Sequence, residues 1–216
     1  AYKVVFAKIH EKTGGNVKFL ISGGAPLSVP IESFFNSIGL QVVQGYGLTE
    51  TSPIITGNLE QVVGSVGKPL DNLDVRIAED GEILVKGPSV FNGYSNVSND
   101  DVFTDDGFFK TGDLGRFDSN QYLYITGRKK ELIVLSNGKN VVPNQVEEKL
   151  LQSEFVNQVM VVGDNKNYLV ALIVPDVDKV RHTLGIQDDL ALIASRTDVR
   201  DLIQRDMKNY SVSLGK

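Results

Sequence analysis

The chain has no cysteine, and His10 and His182 are the only histidines among its 216 residues. Without thiols, a disulfide scaffold, a thiolate metal site and a cysteine nucleophile are all excluded, and a reducing cytoplasm fits. The two histidines read as members of solvated helix faces, not as acid–base catalysts. No apolar run approaches the roughly 18 residues that a bilayer span takes, and no signal peptide is visible. Peripheral membrane contact stays open. There is no excess of basic charge: 22 Lys and Arg stand against 27 Asp and Glu, a formal charge of −5, which argues against a nucleic-acid-coating protein. Neither a Walker A loop nor a dinucleotide GxGxxG pattern occurs. Internal repeats and low-complexity tracts are absent as well.

The length leaves room for one large domain or two smaller ones. Val17 to Ile21 is a short apolar β-like run that ends in Ser22-Gly23-Gly24-Ala25-Pro26. Ile31, Phe34, Phe35 and Ile38 follow at helical spacing behind Pro30, a good helix opener. Leu40 to Val43 is a second strand, ending in Gly45-Tyr46-Gly47-Leu48-Thr49-Glu50. Strand, loop, helix, strand, loop is the pattern of a parallel sheet with covering helices, where ligands sit at the carboxyl ends of strands. From about Ile54 the texture becomes short strands and turns. Val75–Ile77 and Ile83–Val85 flank Asp80-Gly81, a strong hairpin signal. The segment reads as a small antiparallel or barrel-like subdomain. Beyond Arg128, a hairpin at Leu132–Leu135 and Asn137-Gly138 leads to a helix at Pro143, with Val146, Leu150 and Leu151 on one face. Strands at Val159–Val162 and Tyr168–Val174 and amphipathic helices through Met207 complete a small α+β domain.

Four short motifs carry chemistry. Gly45 to Glu50 combines glycines that let a backbone approach a ligand, a Thr49 hydroxyl that can donate to phosphate, and a Glu50 carboxylate suited to Mg²⁺; an ordinary turn-rich loop is the bland alternative. Gly23-Gly24-Ala25 permits a flat ring against the backbone, but a tight strand-to-helix turn needs small residues equally. Thr111-Gly112-Asp113 puts a carboxylate after a tight turn, where it suits the vicinal hydroxyls of a ribose or simply its own backbone. Gly127-Arg128-Lys129-Lys130 is a basic cluster at a junction of strands, which points to an anionic ligand, a hinge, or both.

Taken in order and spacing, GGAP, GYGLTE, TGD and GRKKELIVLSNGKNVVPNQVE resemble the adenylate-forming superfamily of acyl-CoA synthetases, peptide-synthetase adenylation domains and luciferases. The stretches SGGAPL, GYGLTETSP, GEILVKGPSVFNGY, GFFKTGDLG and GRKKELIV are most similar to a long-chain fatty-acid–CoA ligase. The resemblance implies an α/β and α+β architecture. Residues 1–128 would be the C-terminal portion of a large domain, with a parallel-sheet piece at 1–53 and a β subdomain at 54–128. Residues 129–216 would be a small mobile C-terminal domain.

It also implies a reaction. A carboxylate attacks the α-phosphate of ATP to give acyl-adenylate and pyrophosphate, and CoA thiol then displaces AMP. Gly23, Gly24 and Ala25 would line the adenine and acyl side, within a nucleotide pocket that also draws on Gly45 and Gly47. Tyr46 would pack on adenine, Thr49 would contact the α-phosphate and Glu50 would hold Mg²⁺. Asp113 would take the ribose hydroxyls with help from Arg128, Gly138 would lie near the pantetheine path, and Lys130 would be the hinge. Fatty acid, ATP and CoA would be the partners, with no nucleic acid, a cytoplasmic or membrane-associated location and room for a homodimer. Acyl carrier protein as acceptor, or a non-catalytic nucleotide-binding derivative, are the alternatives.

The chain starts on Ala1, in what reads as the middle of a helix, and stops at Lys216. Neither the family's Ser/Thr/Gly-rich phosphate loop nor its C-terminal lysine motif is recognisable in it. Lys216 follows an amphipathic helix too closely to be that lysine. The expectation is therefore a C-terminal fragment that does not catalyse alone.

Overall fold

A computed structural model describes residues 6–211 and divides the chain into two units, Ala1–Lys129 and Lys130–Lys216. The helix expected at Ala1–Val5 and the tail Ser213–Lys216 lie outside the described residues.

The first unit opens with a short helix α1 (Ala7–Lys12), then β1 (Phe19–Ser22), α2 (Val29–Ser37) and β2 (Gln41–Tyr46). β1 and β2 are parallel, from Phe19 opposite Gln41 to Ser22 opposite Gln44. The sheet continues past residue 53. β3 (Thr56–Gly57) pairs antiparallel with the end of β2, and β4 (Lys68–Pro69) pairs with β3. The sequence texture changed at Ile54 because the strands became short, not because the sheet ended.

A second sheet follows in the order β5 (Asp74–Ile77), β6 (Glu82–Lys86), β7 (Phe109–Phe117), β8 (Leu123–Arg128), all antiparallel. One turn of helix, α3 (Asn99–Val102), lies between β6 and β7. The Asp80-Gly81 hairpin falls where the sequence put it, and Gly81 takes a φ of 88°. The sheets are stitched at Leu123, whose N–H donates to the Gly67 carbonyl at 2.9 Å and whose carbonyl accepts from Val66 N–H at 2.9 Å. Leu123 is fully buried with Ile55, Ile83 and Val85, Leu73 completes the cluster, and Tyr46 and Leu48 pack against it. One apolar core thus fixes the end of β2 against the second sheet.

Two expectations about side-chain faces fail here. On α2, Ile31 and Phe34 are about half exposed, while Glu32 is fully buried. The Glu32 carboxylate accepts from the Gln44 side-chain amide at 2.9 Å and from Gly64 N–H at 2.8 Å, and those bonds turn the helix. His10 is half-buried, with Nε2 2.7 Å from the Ile38 carbonyl oxygen, so it is a donor holding α1 and not a solvated residue.

The second unit contains the hairpin β9 (Ile133–Val134) and β10 (Asn140–Val141), then α4 (Pro143–Leu150), the antiparallel pair β11 (Val156–Val162) and β12 (Val170–Pro175), and helices α5 (Val177–Leu184), α6 (Leu190–Ser195) and α7 (Thr197–Ser211). α4 buries Val146 and Leu150 against Ile133 and Val161, but Leu151 is exposed because the helix has ended. Phe155, Val156, Val180, Ile193, Val199 and Ile203 form a second cluster. Asp176 caps α5 by accepting from Lys179 N–H at 3.0 Å, and Gly185 closes it in the left-handed region. No described helix is long and apolar enough to cross a membrane.

Leu123→Ala removes the side chain at the junction of the two sheets. It should destabilise the first unit by about 3 kcal/mol, read as a lower urea midpoint from a probe in that unit. An unchanged midpoint would mean that the two sheets do not depend on this contact.

Candidate functional site

β1 and β2 run side by side, so the loop Gly23–Ala25 after β1 lies against the end of β2, where Gly45 and Tyr46 lead into Gly47–Glu50. Gly47 has no alternative: a Cβ there would stand 2.0 Å from the Pro53 carbonyl oxygen. The chain doubles back at this point, and Ile55 N–H donates to the Tyr46 carbonyl at 2.7 Å. Thr49 and Glu50 sit on a single 3₁₀ turn, Thr49–Thr51. The buried Thr51 hydroxyl holds that turn by donating to the Leu48 carbonyl and accepting from Leu48 N–H. The Thr49 side chain is thereby left exposed, and Glu50 is half-buried.

The second sheet brings Asp113 and Arg128 to the same place. They are register partners on β7 and β8, and they form an ion pair in which Arg128 Nε stands 2.9 Å from Asp113 Oδ1. The other carboxylate oxygen, Oδ2, accepts from the Tyr46 hydroxyl at 2.8 Å. The Asp113 side chain is 7% exposed and that of Arg128 56%. A carboxylate withdrawn this far from water needs such partners. Burial, above all, pushes the Tyr46 hydroxyl well above its ordinary value of 10.0, and the neighbouring Asp113 charge adds to the shift.

Thr111-Gly112-Asp113 is not a turn, as the sequence implied, but the interior of β7. What looked like turn chemistry is a local distortion: Gly112 adopts a φ of 74° and the β6–β7 register shifts between Glu82 and Leu84. The Thr111 hydroxyl donates to the Ile83 carbonyl at 2.8 Å and accepts from Asp113 N–H at 3.1 Å.

Tyr46, Asp113 and Arg128 are therefore in direct contact, with both glycine loops at the β2 side. Lys130 and Gly138 belong to the second unit; Lys130 is exposed on the 3₁₀ turn Lys129–Glu131, and Gly138 has a φ of 80° in the β9–β10 turn. Sequence reasoning missed Tyr94, whose hydroxyl donates to Glu50 Oε1 at 2.5 Å, and Glu82. Both stand in the quoted stretch GEILVKGPSVFNGY, but nothing in its spacing pairs them with partners more than 25 residues away. The bond to Glu50 raises the Tyr94 hydroxyl.

Two family models match, each described as an AMP-binding enzyme: one over residues 3–95 and its C-terminal domain over 130–204. The chain belongs to the AMP-binding enzyme family. Among its relatives, long-chain-fatty-acid–CoA ligase FadD15 of Mycobacterium bovis is 44% identical over 178 residues, which is 81% of this chain and 30% of that ligase. Long-chain-fatty-acid–[acyl-carrier-protein] ligase AEE15 of Arabidopsis thaliana is 32% identical over 84% of the chain and 28% of its own length. The fold of this AMP-binding chain is similar to that of O-succinylbenzoate coenzyme A synthetase from Bacillus subtilis, solved in complex with ATP and magnesium ion, with a TM-score of 0.68 at 33% identity over 79% of this chain and 40% of that one. The chain thus spans about a third of the curated relatives it matches, and its solved neighbours are adenylate-forming enzymes.

The Tyr46 shift fixes a sign. The folded-state value lies above the unfolded one, so the stability it contributes is complete below about pH 10 and is lost as pH rises further. Tyr46→Phe should flatten that loss by up to about 1.4 kcal/mol per pH unit, seen as urea midpoints that fall less steeply between about pH 9 and 11. Equal slopes in the two proteins would contradict the assignment.

Proposed function

We propose that this chain supplies the ribose-side half of the nucleotide site, and the hinge, of an ATP-dependent long-chain fatty-acid–CoA ligase. The observation that carries the reading is the Tyr46–Asp113–Arg128 cluster beside two glycine loops. In this reading Asp113 accepts the two ribose hydroxyls, and the ion pair with Arg128 holds the carboxylate in place. The Tyr46 hydroxyl is tied to Asp113, which fixes the ring so that its face can pack on adenine. Gly23, Gly24, Ala25, Gly45 and Gly47 give the base and the acyl group close approach to backbone. The exposed Thr49 hydroxyl donates to the α-phosphate.

Glu50 fits a hard cation: it offers carboxylate oxygens, is oriented by Tyr94, and lies one residue from the phosphate donor. Mg²⁺, when bound, neutralises charge on the phosphate oxygens. Neither half-reaction asks the protein for a nucleophile, since the substrate carboxylate and the CoA thiol attack, and a chain without cysteine meets that requirement. Lys130, the first residue of the second unit, is the pivot that exchanges one half-reaction for the other. Gly138, in the tight β9–β10 turn, approaches the pantetheine arm.

The likeness to FadD15 supports CoA as acceptor, and the likeness to AEE15 keeps carrier protein as the second reading. A polypeptide of the relatives' full length carrying this sequence, assayed in parallel with CoA and with carrier protein, separates them. For the site itself, calorimetric titration of the chain with AMP should show binding that Asp113→Ala weakens at least about tenfold, the loss of charge-assisted hydrogen bonds. Unchanged affinity in Asp113→Ala would remove Asp113 from the site.

A further inference from the structure

Glu82 has no part in the roles argued above. It opens β6, and its side chain is only 7% exposed. Both of its oxygens are engaged. Oε1 accepts from Gly112 N–H at 2.9 Å, and Oε2 accepts from Lys129 Nζ at 2.7 Å. Lys129 Nζ also reaches Asp80 Oδ2 at 2.6 Å. Gly112 immediately precedes Asp113, and Lys129 immediately follows Arg128 and is the last residue of the first unit. One buried carboxylate thus holds the backbone on one side of the Asp113–Arg128 pair and the side chain on the other. Asp80 and then Glu82 raise the Lys129 ammonium above its ordinary value.

We propose that Glu82 is a positioning residue with two separable tasks: it sets the Gly112–Asp113 backbone for the nucleotide, and it anchors Lys129 as the fixed end of the interdomain junction, so that turning begins at Lys130. The functional half of this rests on the ribose and hinge roles given above. The physical half stands on the contacts alone. An anchored ammonium one residue before a pivot confines the φ/ψ change to the next residue, which a solvated lysine would not do.

The two oxygens allow the tasks to be tested apart on the intact 216-residue chain. Gly112 amide hydrogen exchange reports the first, and backbone ¹⁵N order parameters at Lys129 and Lys130 report the second. Glu82→Ala should lose both: roughly tenfold faster exchange at Gly112, and an order parameter at Lys129 falling from about 0.85 toward 0.6. Glu82→Gln keeps an acceptor for Gly112 but no charge for Lys129, so it should restore the first readout and not the second. Lys129→Met should move only the second. AMP affinity should follow the Gly112 readout across the three variants. Loss of AMP binding in the unmodified chain, with the backbone pattern intact, supports the clamp and removes the nucleotide assignment instead. The proposal is overturned if Lys129→Met leaves Lys129 and Lys130 as ordered as before, or if all amides of the first unit change together in Glu82→Gln.

Discussion

The candidate site depends on one buried carboxylate. Asp113 sits on the second sheet, and its two oxygens are taken by a tyrosine from the end of the first sheet and an arginine from the adjacent strand. Removing a charge from water costs several kcal/mol unless partners replace the lost hydration, so Asp113 is tolerated only where β2, β7 and β8 converge. The same convergence is produced independently by the apolar cluster around Leu123 and Ile55. Packing brings the strands together, and the carboxylate then fixes the register of the polar groups at their ends.

The electrostatic arrangement is directional. The Tyr46 hydroxyl meets the Asp113 carboxylate and the Thr111 hydroxyl meets its backbone N–H, whereas the Arg128 side chain is 56% exposed. Glu50 repeats the pattern on a smaller scale, with one oxygen held by Tyr94.

Local rules read much of this from the sequence. The β1–α2–β2 unit, the Asp80-Gly81 hairpin, the Asn137-Gly138 turn and the helix at Pro143 follow from periodicity and turn chemistry that act within a few residues. Leu151 was misplaced by a local helix end, but the other misreadings involve partners far along the chain. Glu32 is buried on α2, where an apolar face was expected, with Oε2 held by Gly64 and Gln44 and Oε1 left without a partner. Thr111-Gly112-Asp113 has turn-like residues inside a strand because Glu82 and Ile83 pair with it across the sheet. Tyr94, 44 residues from Glu50, has no local signature at all. The chemistry-bearing residues themselves were visible as motifs, but which of them touch was not, since hydrogen-bond partners across sheets leave no spacing to read.

Nucleotide bound at the joint held by Asp113 would perturb the amides around it. The direct measurement is a ¹H–¹⁵N NMR titration of the chain with AMP. The largest shifts should fall on Gly23–Ala25, Gly45–Gly47, Gly112–Asp113 and Arg128. Shifts confined to other residues, or no saturable change at all, would contradict binding at this joint.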